Sequence, residues 1–168
     1  GANKNGHKEI VLIGHSAGSV NITAYLADKT HPSVKKTILI SLTYYGPGRP
    51  AALETEAQAK KARLMLQNKD KGLEKFSLAY CKEYVSTAEN FLSYYGWSAE
   101  KILSALNQSK SENHIIIGGA DERIEKKWLS SLHKASDKTI VIEGASHFFD
   151  QSHEFDLLDQ VEEFLATD

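Results

Sequence analysis

The sequence is poor in the features that staple a chain, anchor it or draw it to a polyanion. It has a single cysteine, Cys81, so no intramolecular disulfide can form, and no group of Cys and His residues has metal-ligand spacing. A disulfide-stapled secreted scaffold and a structural zinc site are thereby excluded, and a reduced, cytoplasmic setting is expected. Neither sign of charge is in large excess. Lys and Arg number 20 against 22 Asp and Glu, and the net charge of -2 removes the electrostatic reason to expect nucleic acid or an anionic membrane as partner. No apolar run approaches the roughly 18 residues that cross a bilayer, and no stretch resembles a signal peptide. Repeats, heptads, phosphate-binding glycine loops and nicotinamide fingerprints are also missing, so no cofactor is expected.

What is present is a chain of 168 residues, 41% of them hydrophobic, enough for one domain with a buried core. Lys8 to Ile13 is a short, β-branched apolar run ending at Gly14, too short for a helix and suited to a strand buried on both faces. Ser16 to Asp28 carries Val20, Ile22, Tyr25 and Leu26 at helical spacing, and Pro32 stops it. Lys36 to Leu42 repeats the strand pattern before the break at Gly46-Pro47-Gly48-Arg49-Pro50. His114 to Gly119 and Lys138 to Ile142 are further strands, with an amphipathic helix over Glu122 to Leu132 between them. A final helix over His153 to Leu165 places Phe155, Leu158, Val161, Phe164 and Leu165 on one face.

Between the second and third of these strands, Ala51 to Ser109 differs in composition. Ala57, Lys61, Leu64 and Met65 suit one helix; Leu73, Phe76, Ala79 and Tyr80 suit a second; Ser86-Thr87-Ala88-Glu89 is a capping-box pattern that starts a third. The reading is therefore an α/β core over 1–50 and 110–168, with a helical insertion over 51–109. The core is a parallel sheet of about four strands with helices on both faces and right-handed crossovers.

In such sheets chemistry collects beyond the carboxyl ends of the strands. The first strand is followed by Gly14-His15-Ser16-Ala17-Gly18, a G-x-S-x-G pentapeptide at a strand-to-helix turn. Composition alone supplies only about 0.05 to 0.1 such pentapeptides in a chain this long, so its position between a strand and a helix makes it informative. A nucleophile on so sharp a turn needs small neighbours, which predicts that a Cβ at Gly14 or Gly18 would meet adjacent backbone. The helix that follows points its first amides at the space above Ser16, with Ala17 N–H as the recognisable oxyanion donor. Asp121 follows the third strand and His147 the last, in the order Ser, Asp, His that this topology requires of a nucleophile, orienting acid and base.

Alternatives remain at this level. Asp121 could cap the helix beginning near Glu122, Asp150 is a second candidate acid, and His153 a second candidate base. His15 reads as a packing residue whose side chain points away from the Ser16 proton, and Cys81 as a buried apolar residue. Tyr44, Tyr45 and Phe148 are the aromatic candidates for a substrate pocket, with core packing as the competing role.

The stretches Gly14-His15-Ser16-Ala17-Gly18-Ser19, Ile115 to Asp121 and Glu143 to Phe149 resemble the elbow, acid and histidine segments of the α/β-hydrolase superfamily. The resemblance covers nearly the whole chain and puts 51–109 in the position of that family's lid. It implies a serine hydrolase acting on a small-molecule acyl ester or thioester, with Ser16 as nucleophile, His147 as base and Asp121 as acid. It leaves the substrate open. The chain departs from the family before the elbow, where it offers 15 residues in place of several strands and helices, and with them goes the loop that supplies a second oxyanion amide. This reads as the C-terminal part of such a fold, leaving two function classes: an acyl hydrolase, or a non-catalytic module that keeps the fold. The first strand's apolar edge then lacks its neighbour. Pairing with a second copy, or with an N-terminal part not in this sequence, is expected there.

Overall fold

The computed structural model describes residues 9–28, 31–47, 49, 52–78 and 81–166. In chain order the elements are β1 (Ile10–His15), α1 (Ala17–Asp28), β2 (Val34–Ile40), α2 (Ala52–Gln67), β3 (Leu73–Leu78), β4 (Cys81–Thr87), α3 (Ala88–Tyr95), α4 (Ala99–Gln108), β5 (Glu112–Gly118), α5 (Lys126–Ala135), β6 (Thr139–Ile142) and α6 (His153–Ala166). They fall into two compact units, Gly1–Thr43 with Ile102–Asp168, and Tyr44–Lys101.

The first unit is built on a four-stranded sheet of order β1-β2-β5-β6, every pair parallel. The strand runs are short and β-branched, and the two central ones, β2 and β5, are buried over most of their length. Strand alternation sorts their side chains between two faces. Ile38, Ile40 and Ile116 join Ile142, Ala145 and Phe149 in one cluster, with Val11 and the α6 residues Leu157, Val161 and Phe164 packed against it. Gly14 has the opposite parity to Val11 in β1, and its Cβ direction points at Gly18 and Ile22 of α1. Helices α6 and α1 therefore cover opposite faces, the expected two-sided arrangement. The face of α6 differs from the expected one. Leu157, Val161 and Phe164 form its contact stripe, while Phe155, Leu158 and Leu165 are exposed at 66%, 50% and 47%.

Helix α5 begins at Lys126, later than the expected Glu122. Residues 122–124 turn instead, because the Asp121 side chain and carbonyl accept from the Arg123 and Ile124 amides. Its buried edge is set by Leu132 and by Trp128, whose indole N–H donates to the Leu42 carbonyl at 2.8 Å.

The second unit corrects the sequence reading of three helices. Leu73 to Leu78 is not a helix. It pairs antiparallel with Cys81–Thr87, Phe76 opposite Tyr84 and Lys75 opposite Val85. Ala79 and Tyr80 of the expected helix lie outside the described residues. The apolar set at 73, 76 and 80 fits a helical stripe, but Glu74, Phe76 and Leu78 also share one strand face. Packing decided between them: Phe76 stacks on Phe91 at 4.3 Å and sits among Ala59, Ala62, Ala88 and Tyr95. Cys81, expected to be buried, is exposed at the start of β4. The cap of α3 is Thr87, one residue later than the Ser86 pattern, with its Oγ accepting from the Asn90 amide at 3.3 Å.

Candidate active site

Three loops at the carboxyl ends of β1, β5 and β6 build the site, and each is fixed by a local feature of the sequence. At the end of β1 the chain turns sharply into α1 through Ser16, whose φ of +54° lies in the left-handed region that side chains rarely adopt. Tertiary bonds hold that strain. The Ser16 amide donates to the Ile40 carbonyl at 2.9 Å, and the Ser19 hydroxyl reaches the Gly14 and Ile40 carbonyls at 2.7 and 2.8 Å. Gly14 is required there: an added Cβ would come within 2.7 Å of the Gly18 carbonyl carbon. Gly18 is not required in the same sense, contrary to expectation, since a Cβ on it would meet nothing within 4 Å. Gly18 matters as the backbone that Gly14 must clear.

The acid and histidine loops approach each other closely because Gly118 ends β5. A Cβ there would lie 2.5 Å from the carbonyl oxygens of both Ala145 and Ser146. Its absence lets the Gly119 and Ala120 amides donate to the Ile142 and Ala145 carbonyls at 2.8 and 2.9 Å. Asp121 and His147 are thereby brought into register and buried.

The three expected side chains meet. His147 Nε2 lies 3.0 Å from Ser16 Oγ, and His147 Nδ1 lies 2.6 Å from Asp121 Oδ2. Ser16 is itself only 7% exposed. Burial works to raise the Asp121 pKa, but it is outweighed by the His147 hydrogen bond, the Arg123 amide at 3.0 Å on Oδ1, and the charges of His147 and Arg123. The net effect holds the Asp121 carboxyl below the usual aspartate range, as an anion able to orient an imidazole N–H. Ala17 opens α1, and its amide is one of the helix's first N–H groups, which have no intrahelical acceptor.

The competing residues stand elsewhere. Asp150 accepts the Ser146 hydroxyl at 2.7 Å, and His153 pairs with Asp156 at 2.9 Å. Asp121 caps no helix; Glu125 is the N-cap of α5. Phe148, 61% exposed, meets the His147 ring edge-on at 5.1 Å and carries the Arg123 guanidinium 5.1 Å from its own ring centre. A cavity of about 360 Å³ opens beside these groups, its walls including Asp121, Arg123, His147 and Phe148. Tyr44 and Tyr45 belong to the second unit, where both are buried and Tyr45 meets Tyr94 edge-on at 5.9 Å.

Sequence reasoning missed three contributors. His15 was expected only to pack, yet its Nε2 donates to the His147 carbonyl at 2.7 Å; Ser41 Oγ donates to the same oxygen at 3.3 Å. Arg123 is the third. Polar residues adjacent to a strand end are too common for any of the three to stand out by pattern.

No protein-family model and no curated protein matches the sequence. Solved structures do match its fold. An E-2-(acetamidomethylene)succinate hydrolase superposes with a TM-score of 0.62 at 14% identity, over 98% of this chain and 69% of its own. An enol-lactonase from Burkholderia xenovorans LB400 gives 0.61 at 16% identity, over 98% and 68%. A monoacylglycerol lipase from Paleococcus ferrophilus gives 0.60 at 12%, over 94% and 69%. The fold is that of the α/β hydrolases. Among the described residues no helix is long and apolar enough to cross a membrane, and no group of three or more His, Cys, Asp or Glu side chains is placed to hold a metal ion.

Proposed function

We propose that the protein is a serine hydrolase that cleaves a carboxylic ester or thioester through an acyl-enzyme intermediate. One observation carries this reading: hydroxyl, imidazole and carboxylate are joined in a single hydrogen-bonded chain, 3.0 Å from Ser16 to His147 and 2.6 Å from His147 to Asp121. In the resting tautomer Nδ1–H donates to Asp121, leaving Nε2 to accept the Ser16 proton. Ser16 Oγ attacks the carbonyl carbon as that proton moves to Nε2, and the oxyanion forms against the Ala17 amide. Collapse breaks the bond to the leaving alcohol or thiol, which takes the proton from His147. Water then attacks the acyl-enzyme, His147 takes its proton and returns it to Ser16 Oγ, and the carboxylic acid departs. Asp121 keeps its charge throughout, fixing the ring and stabilising the imidazolium. Substrate contact is assigned to Phe148 beside the histidine.

The fold neighbours carry the names hydrolase, lactonase and lipase, which agrees with this class of chemistry. A second reading, a non-catalytic module of the same fold, draws on one observation: the elbow supplies a single recognisable oxyanion amide, where acyl transfer ordinarily uses a pair. A fluorophosphonate probe separates the two. Labelling of Ser16 in the wild type and none in Ser16→Ala supports the hydrolase, with ester hydrolysis falling by about 10³-fold or more in the variant. An unlabelled wild type assigns the chain to the second reading.

A further inference from the structure

His15 and Ser16 are adjacent in the chain, and both hold the same residue. Ser16 Oγ meets the His147 ring at Nε2, while His15 Nε2–H donates to the His147 backbone carbonyl at 2.7 Å. The His15 ring also lies 5.0 Å from the His147 ring, tilted by 56°, and 5.8 Å from that of Phe148. The His147 carbonyl takes a second, longer bond from Ser41 Oγ at 3.3 Å. The histidine loop is short of regular structure: it follows the four-residue strand β6, and Phe149 has a φ of +52°. The acid loop holds this segment from one side, through the Ala120 amide on the Ala145 carbonyl and the Asp121 carboxylate on His147 Nδ1; the bond from His15 ties the His147 main chain to the end of the elbow strand.

We infer that His15 is a positioning residue for the base: its imidazole N–H clamps the His147 carbonyl to the end of β1, so that nucleophile and base are held by neighbouring residues of one rigid turn. His15 touches no reacting atom. It acts by fixing the Ser16–His147 distance, and a displacement of about 1 Å between reacting groups costs about 10²-fold in rate. The inference rests on the hydrolase reading above.

The test follows the rate of fluorophosphonate labelling, in which Ser16 Oγ bonds to phosphorus, fluoride departs and His147 takes the serine proton. His15→Phe keeps a ring against His147 and Phe148 but removes the donor; His15→Gln restores an N–H at comparable reach. The Phe variant is expected to label about 10- to 100-fold more slowly, at undiminished final stoichiometry, and the Gln variant to recover to within about threefold of wild type. With p-nitrophenyl acetate the loss should fall on kcat with KM nearly unchanged. A Phe variant that labels at the wild-type rate overturns the inference and leaves the hydrolase reading standing, as does a loss confined to final stoichiometry, which would mean a fraction misfolded. An unlabelled wild type overturns both.

Discussion

The elbow shows how much a single hydrogen atom in place of a methyl can carry. At Gly14 the methyl would enter the backbone of Gly18, which cannot yield without moving the start of α1 and with it Ser16. At Gly18 the same methyl meets open space, and alanine is the better helix former by about 0.5 to 1 kcal/mol. Gly14→Ala is therefore expected to destabilise the fold by about 1 to 3 kcal/mol in urea unfolding, as overpacked cores do, and Gly18→Ala to be neutral or slightly stabilising. Equal losses from the two would show that the pentapeptide's glycines act through a shared constraint instead. Residues of this kind were half legible: the sequence marked both glycines, but only the geometry distinguishes the clashing position from the one it clashes with. That Ser16, Asp121 and His147 would meet was legible from topology, which places strand ends together, but setting Asp150 and His153 aside took their observed partners, Ser146 and Asp156.

A second residue-scale consequence concerns His114, which no motif marks. It is buried in β5 beneath the Phe164 ring at 4.0 Å, with Glu112 Oε1 2.8 Å from its Nε2. Burial lowers its pKa below the ordinary 6.5; Glu112 partly offsets this, and Lys138 and Lys36 reinforce it. Lys36 comes from β2 and also donates to the Phe164 carbonyl, while Lys138 pairs with Glu112. Below pH 6.5 the unfolded chain takes up a proton that the folded one refuses, so this contribution to stability is present above that pH and is lost as pH falls. The wild type should lose stability between neutral pH and about pH 5.5 more steeply than His114→Leu, by at most about 1.4 kcal/mol per pH unit. Parallel pH profiles from thermal unfolding would remove His114 as the source.

At the scale of elements, the parallel sheet was legible and the β3–β4 hairpin was not, for a physical reason. Strands β2 and β5 each carry a β-branched apolar run, Ile38 to Ile40 and Ile115 to Ile117, too short for a helix and closed by a break in the chain. The hairpin strands are half exposed and charged, with Lys75 paired to Glu83 across the hairpin at 3.0 Å and Glu74 to Lys61 of α2 at 2.6 Å. Such a strand carries one buried anchor, here Phe76, and the apolar residues around it fit a helical period as well as a strand's. The exposure of Cys81 follows from the same change of structure. Its thiol should react stoichiometrically with an aromatic disulfide reagent in the folded protein; reaction only on denaturation would return it to the buried role the helical reading gave it.

At the scale of the whole molecule, the exposed feature is the outer edge of β1. The strand pairs with β2 on one side, and among the described residues no strand borders the other. Its Ile10-Val11-Leu12-Ile13 run has neither the proline nor the inward lysine that blunts a natural edge, and Ile13 is 49% exposed. On the same face of the sheet α6 has no buried residue and leaves Phe155, Leu158 and Leu165 in solvent. An apolar edge beside an uncovered apolar helix flank is a surface that water does not favour. We propose that it is covered, either by an N-terminal part of the protein beyond this sequence or by a second copy of this chain; a copy would set the two β1 strands antiparallel about a two-fold axis, because an edge strand is complementary to its own copy in that orientation and continues both sheets into one. Sedimentation equilibrium at micromolar concentration should then report a dimer. Ile13→Lys, which puts a charge on the exposed edge without touching Ser16, should report a monomer. A wild-type monomer would rule out the second copy in favour of the N-terminal part, and a dimer that survives Ile13→Lys with its β1 amides exchanging freely would overturn both, since the contact would then lie elsewhere.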